Sequence, residues 1–177
     1  MIFLNLATQL FSEVPKDHVE GENWDMNEYL ENFINTKFRK SSKALDLGAG
    51  DFCDVKNLEK LGWECEGVDL EMGIDLEKPY ISKNKPFDLV YSNYVLQRIK
   101  NKKIFAKTIY DNLKNDGWFF IHTFEKNDPV IASGMTKDFL QELLEKKGFK
   151  NIEMKIFDHY DKGHKHWHKI LEASGRK

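Results

Sequence analysis

The segment ALDLGAGDFCD, residues 44–54, places a carboxylate, Asp46, two residues before the first of two alternating glycines, Gly48 and Gly50. Alternating glycines let the chain turn tightly and let its backbone approach a ligand without a Cβ in the way. A carboxylate there suits a cationic ammonium, and an amino-acid ligand carrying a sulfonium would be such a partner. Two commoner glycine-loop chemistries fit worse. G-x-G-x-x-G counted from Gly48 needs a glycine at position 53, where the chain has Cys53, and G-x-x-x-x-G-K-[ST] is absent.

Other residues carry chemistry by type and place. In GVDLEMGIDLEKP, residues 67–79, Asp69 and Asp75 each end an apolar run, six residues apart, as acids do at a nucleotide-binding edge. His122 lies near the carboxyl end of the apolar run WFFIHTF, where a histidine titrating near neutrality could take a proton from an incoming group. His164, His166 and His168 alternate, with His159 nearby. On a strand the three would share one side and Trp167 would face the core. No carboxylate or cysteine pattern accompanies them, so no metal is expected. Arg98, Lys100, Lys102, Lys103 and Lys107 form a basic run that reads as a solvated helix face, with Arg98 a candidate for an acidic ligand.

These residues need a scaffold. Asp25 can cap a helix over residues 26–39, whose apolar stripe is Met26, Tyr29, Leu30, Phe33, Ile34 and Phe38. ALDLGAG reads as a buried strand ending at glycines, 53–61 as a helix closed by Gly62, and WECEGVD as a second strand. FDLVYS reads as another strand, 98–115 as a helix, Asn115–Gly117 as a turn and WFFIHTF as a strand. Thr136 caps a helix through Lys147, and two strands joined at Asp161-Lys162-Gly163 close the chain. Strands alternating with helices, then a strand pair, imply an α/β fold with a mostly parallel sheet and an antiparallel addition.

The bulk numbers are compatible. One domain of 177 residues can bury a full core, and 41% hydrophobic with 32% charged residues is ordinary for a globular chain. A net charge of −2 argues against a whole-chain electrostatic grip on nucleic acid. Cys53 and Cys65 make no disulfide framework, and reduced thiols point to a cytoplasmic setting. The opening MIFLNLATQLF has no basic flank or cleavage site and contains Asn5 and Gln9, so it reads as neither signal peptide nor membrane span.

Taken together, the motifs resemble the class I S-adenosylmethionine (SAM) dependent methyltransferases. LDLGAG (45–50) resembles the first motif, LEKLGWECEGVDLE (58–71) the following helix and second strand, PFDLVYSNYVLQRI (86–99) the fourth-strand motif and LKNDGWFFI (113–121) the lead into the fifth strand. The tail from Gly148 resembles the last helix end and antiparallel strand pair. Two departures stand out. Phe52 replaces a glycine common in the family and would narrow the methionine end of the pocket. Only nineteen residues separate Asp69 from Asp88, too few for the family's intervening helix, so that helix is expected to be missing and the third strand shortened to about Gly73–Leu76.

The resemblance implies a Rossmann-like sheet with helices on both faces and SAM as cofactor. Residues 41–177 would form the SAM-binding domain, and residues 1–40, with Trp24 and the first helix, a segment covering the site. Asp69 would accept from the ribose hydroxyls, with Glu71 as its competitor and Leu70 alongside. Asp75 and Leu76 would receive adenine, and Asp46, Gly48, Gly50 and Asn93 the methionine part. Tyr94 would line the acceptor side and His122 act as base. The expected function is methyl transfer to a small molecule, with no nucleic-acid or membrane partner. The alternatives are a nucleic-acid or protein methyltransferase, and a SAM-binding regulator without catalysis.

Overall fold

A computed structural model describes residues 26–177. Trp24, Asp25 and the rest of the expected covering segment before Met26 lie outside the described residues. The described elements are α1 (Glu28–Lys37), β1 (Lys43–Leu47), α2 (Cys53–Lys60), β2 (Glu64–Val68), β3 (Phe87–Asn93), α3 (Lys102–Asn112), β4 (Leu113–Phe124), α4 (Lys137–Lys147), β5 (Lys150–Asp161) and β6 (His166–Arg176). Short 3₁₀ turns occupy Leu70–Met72 and Leu96–Arg98.

The strands form a six-stranded sheet in the order β2-β1-β3-β4-β6-β5. β2, β1, β3 and β4 run parallel, and β6 pairs antiparallel with both β4 and β5. This is the Rossmann-like arrangement that the element order predicts. Side-chain alternation splits the core in two. Val90 and Phe119 join Phe105, Ile109, Leu140 and Leu144 of α3 and α4 in one cluster. Leu89, Tyr91 and Phe120 join Leu30, Phe33 and Ile34 of α1 and Leu58 of α2 in the other.

Several boundaries differ from the sequence reading. Asn27 caps α1, its side chain accepting from the amides of Tyr29 and Leu30. Residues 98–101 stay out of α3, which starts at Lys102 behind the Asn101 cap. Asn115–Gly117 is an excursion within β4, where pairing jumps from Phe87–Leu113 to Leu89–Trp118 and Asp116 adopts φ 57°. β6 begins at His166, so His164 lies in the hairpin turn. Trp167 is 59% exposed and packs, tilted, against Tyr160 rather than against the core.

The largest difference concerns the expected short third strand. Residues 73–76 form no strand, and β2 is the edge of the sheet. Side chains take over the role of a neighbouring strand. Glu66 of β2 accepts from Tyr80 Oη at 2.8 Å, Ser82 Oγ at 2.8 Å and Asn84 Nδ2 at 2.9 Å. Asn112 of α3 accepts from the Ser82 amide and donates to the Tyr80 carbonyl. The Glu77 carboxylate accepts from the amides of Lys100 and Asn101. Residues 74–86 thus lie against the edge by side-chain bonds, which also shield β2 from pairing with another chain.

Candidate functional site

β1 runs into a glycine turn at the carboxyl end of the sheet, where open α/β sheets bind ligands. Gly48 has φ 91° and Gly50 φ 53°. A Cβ on Gly48 would stand 2.2 Å from Val95 Cγ2, whereas one on Gly50 would meet nothing within 4 Å. The first glycine is dictated by the chain's own packing, and the second leaves open space beside the backbone. Phe52 does not narrow the pocket. Its ring turns onto β2, where a Cβ on Gly67 would be 2.7 Å from Phe52 Cε1.

Asp69 links the two halves of the ligand edge. Its Oδ2 accepts from the Gly50 amide and its Oδ1 from the Glu71 amide, each at 3.1 Å. Asp75 Oδ1 accepts from the Glu77 amide at 3.0 Å, and its Oδ2 lies 3.3 Å from Lys78 Nζ. One cavity of about 560 Å³ is lined by Gly48, Gly50, Asp69, Leu70, Asp75, Leu76, Asn93 and Tyr94. Glu71, the competitor of Asp69, also lines it. Ile74, Glu77, Val95 and Ile99, which the sequence reading did not single out, complete the wall, and Arg98 sits at it rather than on a helix face.

Asp46 is not among the lining residues. It is buried behind the loop, and its Oδ1 has no hydrogen-bond partner among the described residues. Burial first, then the charge of Asp54, push its carboxyl well above the usual range, although Tyr91 pulls the other way. Asp54, in the first turn of α2, was also missed. It accepts from the Asn27 amide and from Asn93 Nδ2, both at 2.8 Å, which leaves Asn93 Oδ1 a buried acceptor without partner among the described residues. The orphaned Asn93 Oδ1 at the cavity wall and the open space at Gly50 fit the ammonium of an amino-acid-like ligand such as the methionine end of SAM, with Asp46 Oδ1 behind the loop.

A polar row crosses the sheet in register beside this cavity. Asn93 pairs with His122, His122 with Glu172 and Glu172 with Lys155. His122 Nε2 lies 3.0 Å from Glu172 Oε2. Burial would raise Glu172, but hydrogen bonds from His122 and Lys155 prevail and hold it low. An ionised carboxylate only accepts, so Nε2 carries the proton and Nδ1 keeps a bare lone pair. That Nδ1 has no partner among the described residues. Burial lowers the His122 pKa despite Glu172, so the ring is neutral near pH 7.

His122 is also fully buried, not open to an acceptor. The rings of Tyr29 and Tyr94 lie 5.0 and 5.8 Å from it. Tyr29 belongs to α1, and its hydroxyl is 2.9 Å from His159 Nδ1. Tyr94 holds φ 58°, a costly backbone for a bulky residue, and its ring lies 5.3 Å from Phe124. Glu172 could have been found only by knowing the β4–β6 register. At the far end of the hairpin, Asp161 and Asp128 join His166 and His168, a carboxylate neighbourhood absent from the linear pattern.

The comparisons agree with this fold. A family described as methyltransferase domain matches residues 25–168. No curated protein matches the sequence. Among solved structures, a SAM-dependent methyltransferase from Methanosarcina mazei has a TM-score of 0.69 at 14% identity, covering 87% of this chain and 99% of that one. Phosphoethanolamine N-methyltransferase 2 of Haemonchus contortus, in complex with phosphomonomethylethanolamine and S-adenosylhomocysteine, has a TM-score of 0.68 at 16% identity, covering 89% and 55%. The 1,6-didemethyltoxoflavin-N1-methyltransferase of Burkholderia thailandensis, with 1,6-didemethyltoxoflavin and S-adenosylhomocysteine bound, has 0.65 at 19% identity, covering 82% and 75%. This chain spans about half the length of the Haemonchus structures. At these identities the likeness is one of fold.

Proposed function

The chain belongs to the methyltransferase-domain family, and from that premise we propose that it transfers a methyl group from SAM to a small-molecule acceptor. The observation that carries this reading is the single cavity shared by the glycine turn, Asp69, the Asp75–Leu76 segment and Asn93. Asp69 keeps lone pairs beyond its two backbone bonds and can accept from a ribose diol. Asp75 accepts from adenine's amine while buried Leu76 packs its face. Asn93 Oδ1, at the cavity wall, receives the ammonium, and Asp46, buried behind the glycine loop, acts on it from behind that wall.

Bound SAM supplies a methyl group on a cationic sulfur, already a good leaving group. The protein's part is to hold the acceptor in line, exclude water and accept a proton. Positioning alone can contribute roughly 7–11 kcal/mol. Tyr94, at the cavity wall, and Phe124 next to it offer aromatic faces to the positive charge, each contact worth about 0.5–2 kcal/mol. His122 Nδ1 takes the acceptor's proton while Glu172 holds Nε2–H. Because Tyr29 covers His122, α1 acts as the cover that shifts when the acceptor enters.

A small acceptor fits better than a nucleic acid. The basic run is not a continuous free strip, since Lys102 bonds the Ile99 carbonyl, Lys107 pairs with Asp111 and Arg98 lines the cavity. The Burkholderia and Haemonchus neighbours were crystallised with small acceptors or products, which supports the same reading. Calorimetry with SAM and S-adenosylhomocysteine tests the first half. Binding is expected, and Asp69→Ala should weaken it at least tenfold, about 1.4 kcal/mol. No binding at millimolar ligand overturns the reading. Radiolabelled methyl transfer into fractionated extract tests the second half, with label expected in small metabolites. Label in RNA or protein would reassign the acceptor class, and binding without transfer would leave a regulator.

A further inference from the structure

Away from the cavity, the β5–β6 hairpin gathers groups that methyl transfer does not use. Asp161 ends β5 and pairs in register with His166, the first residue of β6, and His168 follows on the same face. One ligand atom from each of Asp161, His166 and His168 lies within 4.8 Å of the others. His166 Nε2 and His168 Nε2 face each other at 2.9 Å. We propose that Asp161, His166 and His168 form a binding site for a divalent first-row transition-metal ion of the zinc class, held by two imidazoles and one carboxylate.

The surroundings of His168 favour this over a chance histidine contact. Its Nδ1 lies 3.0 Å from Asp128 Oδ2. Asp128 is itself fixed, its Oδ1 accepting from the amides of Val130 and Ile131 and its Oδ2 from that of Lys169. A carboxylate so placed accepts from His168 Nδ1–H and leaves the Nε2 lone pair facing His166, the carboxylate–histidine arrangement that orients metal ligands. Asp161 Oδ1 accepts from the His164 amide and its Oδ2 lies 2.9 Å from His164 Nδ1, which holds the carboxylate beside the two imidazoles.

The spacing is close to what an ion needs. Two nitrogens bound tetrahedrally at about 2.0–2.1 Å stand roughly 3.3 Å apart, so a few tenths of an ångström of opening suffices. Without an ion, an N–H···N bond joins the two rings. Two nitrogens and one oxygen suit zinc, cobalt or nickel rather than calcium or magnesium, and three protein ligands leave one position for water or another ligand.

The site makes no use of the methyl-transfer reading, so its test is independent of activity. The full chain is stripped with a chelator, dialysed, and titrated with Zn2+ by calorimetry in a non-coordinating buffer. One ion per chain at micromolar or tighter affinity is expected, with a rise in thermal midpoint. Co2+ should give the visible absorption of a four-coordinate nitrogen–oxygen site. His166→Asn, at the partly exposed hairpin end, should remove tight binding, and Asp128→Asn should weaken it about 10–100-fold. No saturable binding by wild type overturns the proposal, and so does equal affinity in wild type and His166→Asn.

Discussion

Among single residues, Asp46 and His122 carry the sharpest consequences. The folded pKa of Asp46 lies well above its ordinary 3.8, so stability is lost as pH rises from that value through the folded pKa. Above pH 3.8 burying Asp46 therefore works against folding, as groups held for a ligand often do. Asp46→Asn should therefore raise the thermal midpoint by at least about 2 °C while weakening SAM binding, read by scanning fluorimetry and calorimetry. A lower midpoint with unchanged affinity would show that Asp46 is structural. At His122, glutamine keeps a donor for Glu172 but cannot accept the proton. His122→Gln should cut turnover about 100-fold and leave SAM affinity within twofold. Unchanged turnover removes the base role. The glycine turn, Asp69 and His122 were legible because each sits at a strand end. Asp54 and Glu172 were not, because they meet Asn93 and His122 from residues 39 and 50 positions away in the chain.

Between β2 and β3, the shortened connection shows how a fold loses a strand and keeps its ligand edge. The nineteen-residue interval signals the missing helix, but not what replaces the third strand. Glu66 looks like an ordinary charge on an edge strand until it meets Tyr80, Ser82 and Asn84. Glu66→Ala should release residues 74–86, raising amide hydrogen exchange there while β1 and β3 stay protected. Because Ile74, Asp75, Leu76 and Glu77 line the cavity, SAM affinity should fall with it. Affinity unchanged despite faster exchange would mean that the segment contributes little to cofactor binding. The hairpin β5–β6 shows the opposite kind of miss. Histidine alternation was visible, yet the expected turn at 161–163 falls at 162–165, which makes Asp161 the last residue of β5 and pairs it with His166, while Trp167 faces solvent.

Acid sensitivity belongs to the molecule as a whole. His122 is buried neutral, with a folded pKa below its ordinary 6.5. Between those two values the unfolded chain holds a proton that the native chain does not, so stability falls as pH drops below 6.5. Glu172, held below its ordinary 4.5, loses its contribution at still lower pH. Because Asp46 acts in the opposite direction, the His122 contribution is read as a difference: from pH 7.5 to 5.5 urea midpoints of wild type should fall relative to those of His122→Gln. An equal slope in both proteins would place the acid sensitivity elsewhere. The negative neighbourhood of the glycine turn, with Asp46, Asp51, Asp54 and Asp69 together, also explains why a cationic ligand suits an otherwise nearly neutral chain.

By itself the sequence determined the alternation of strands and helices, the glycine turn and the acid after β2, because each is a local consequence of side-chain size, period or backbone freedom. Tertiary structure decided which distant groups share a hydrogen bond. The Asn93–His122–Glu172–Lys155 row, the Glu66 clasp and the histidine–aspartate cluster all depend on strand register and loop path, which are set by packing the whole sheet against its helices.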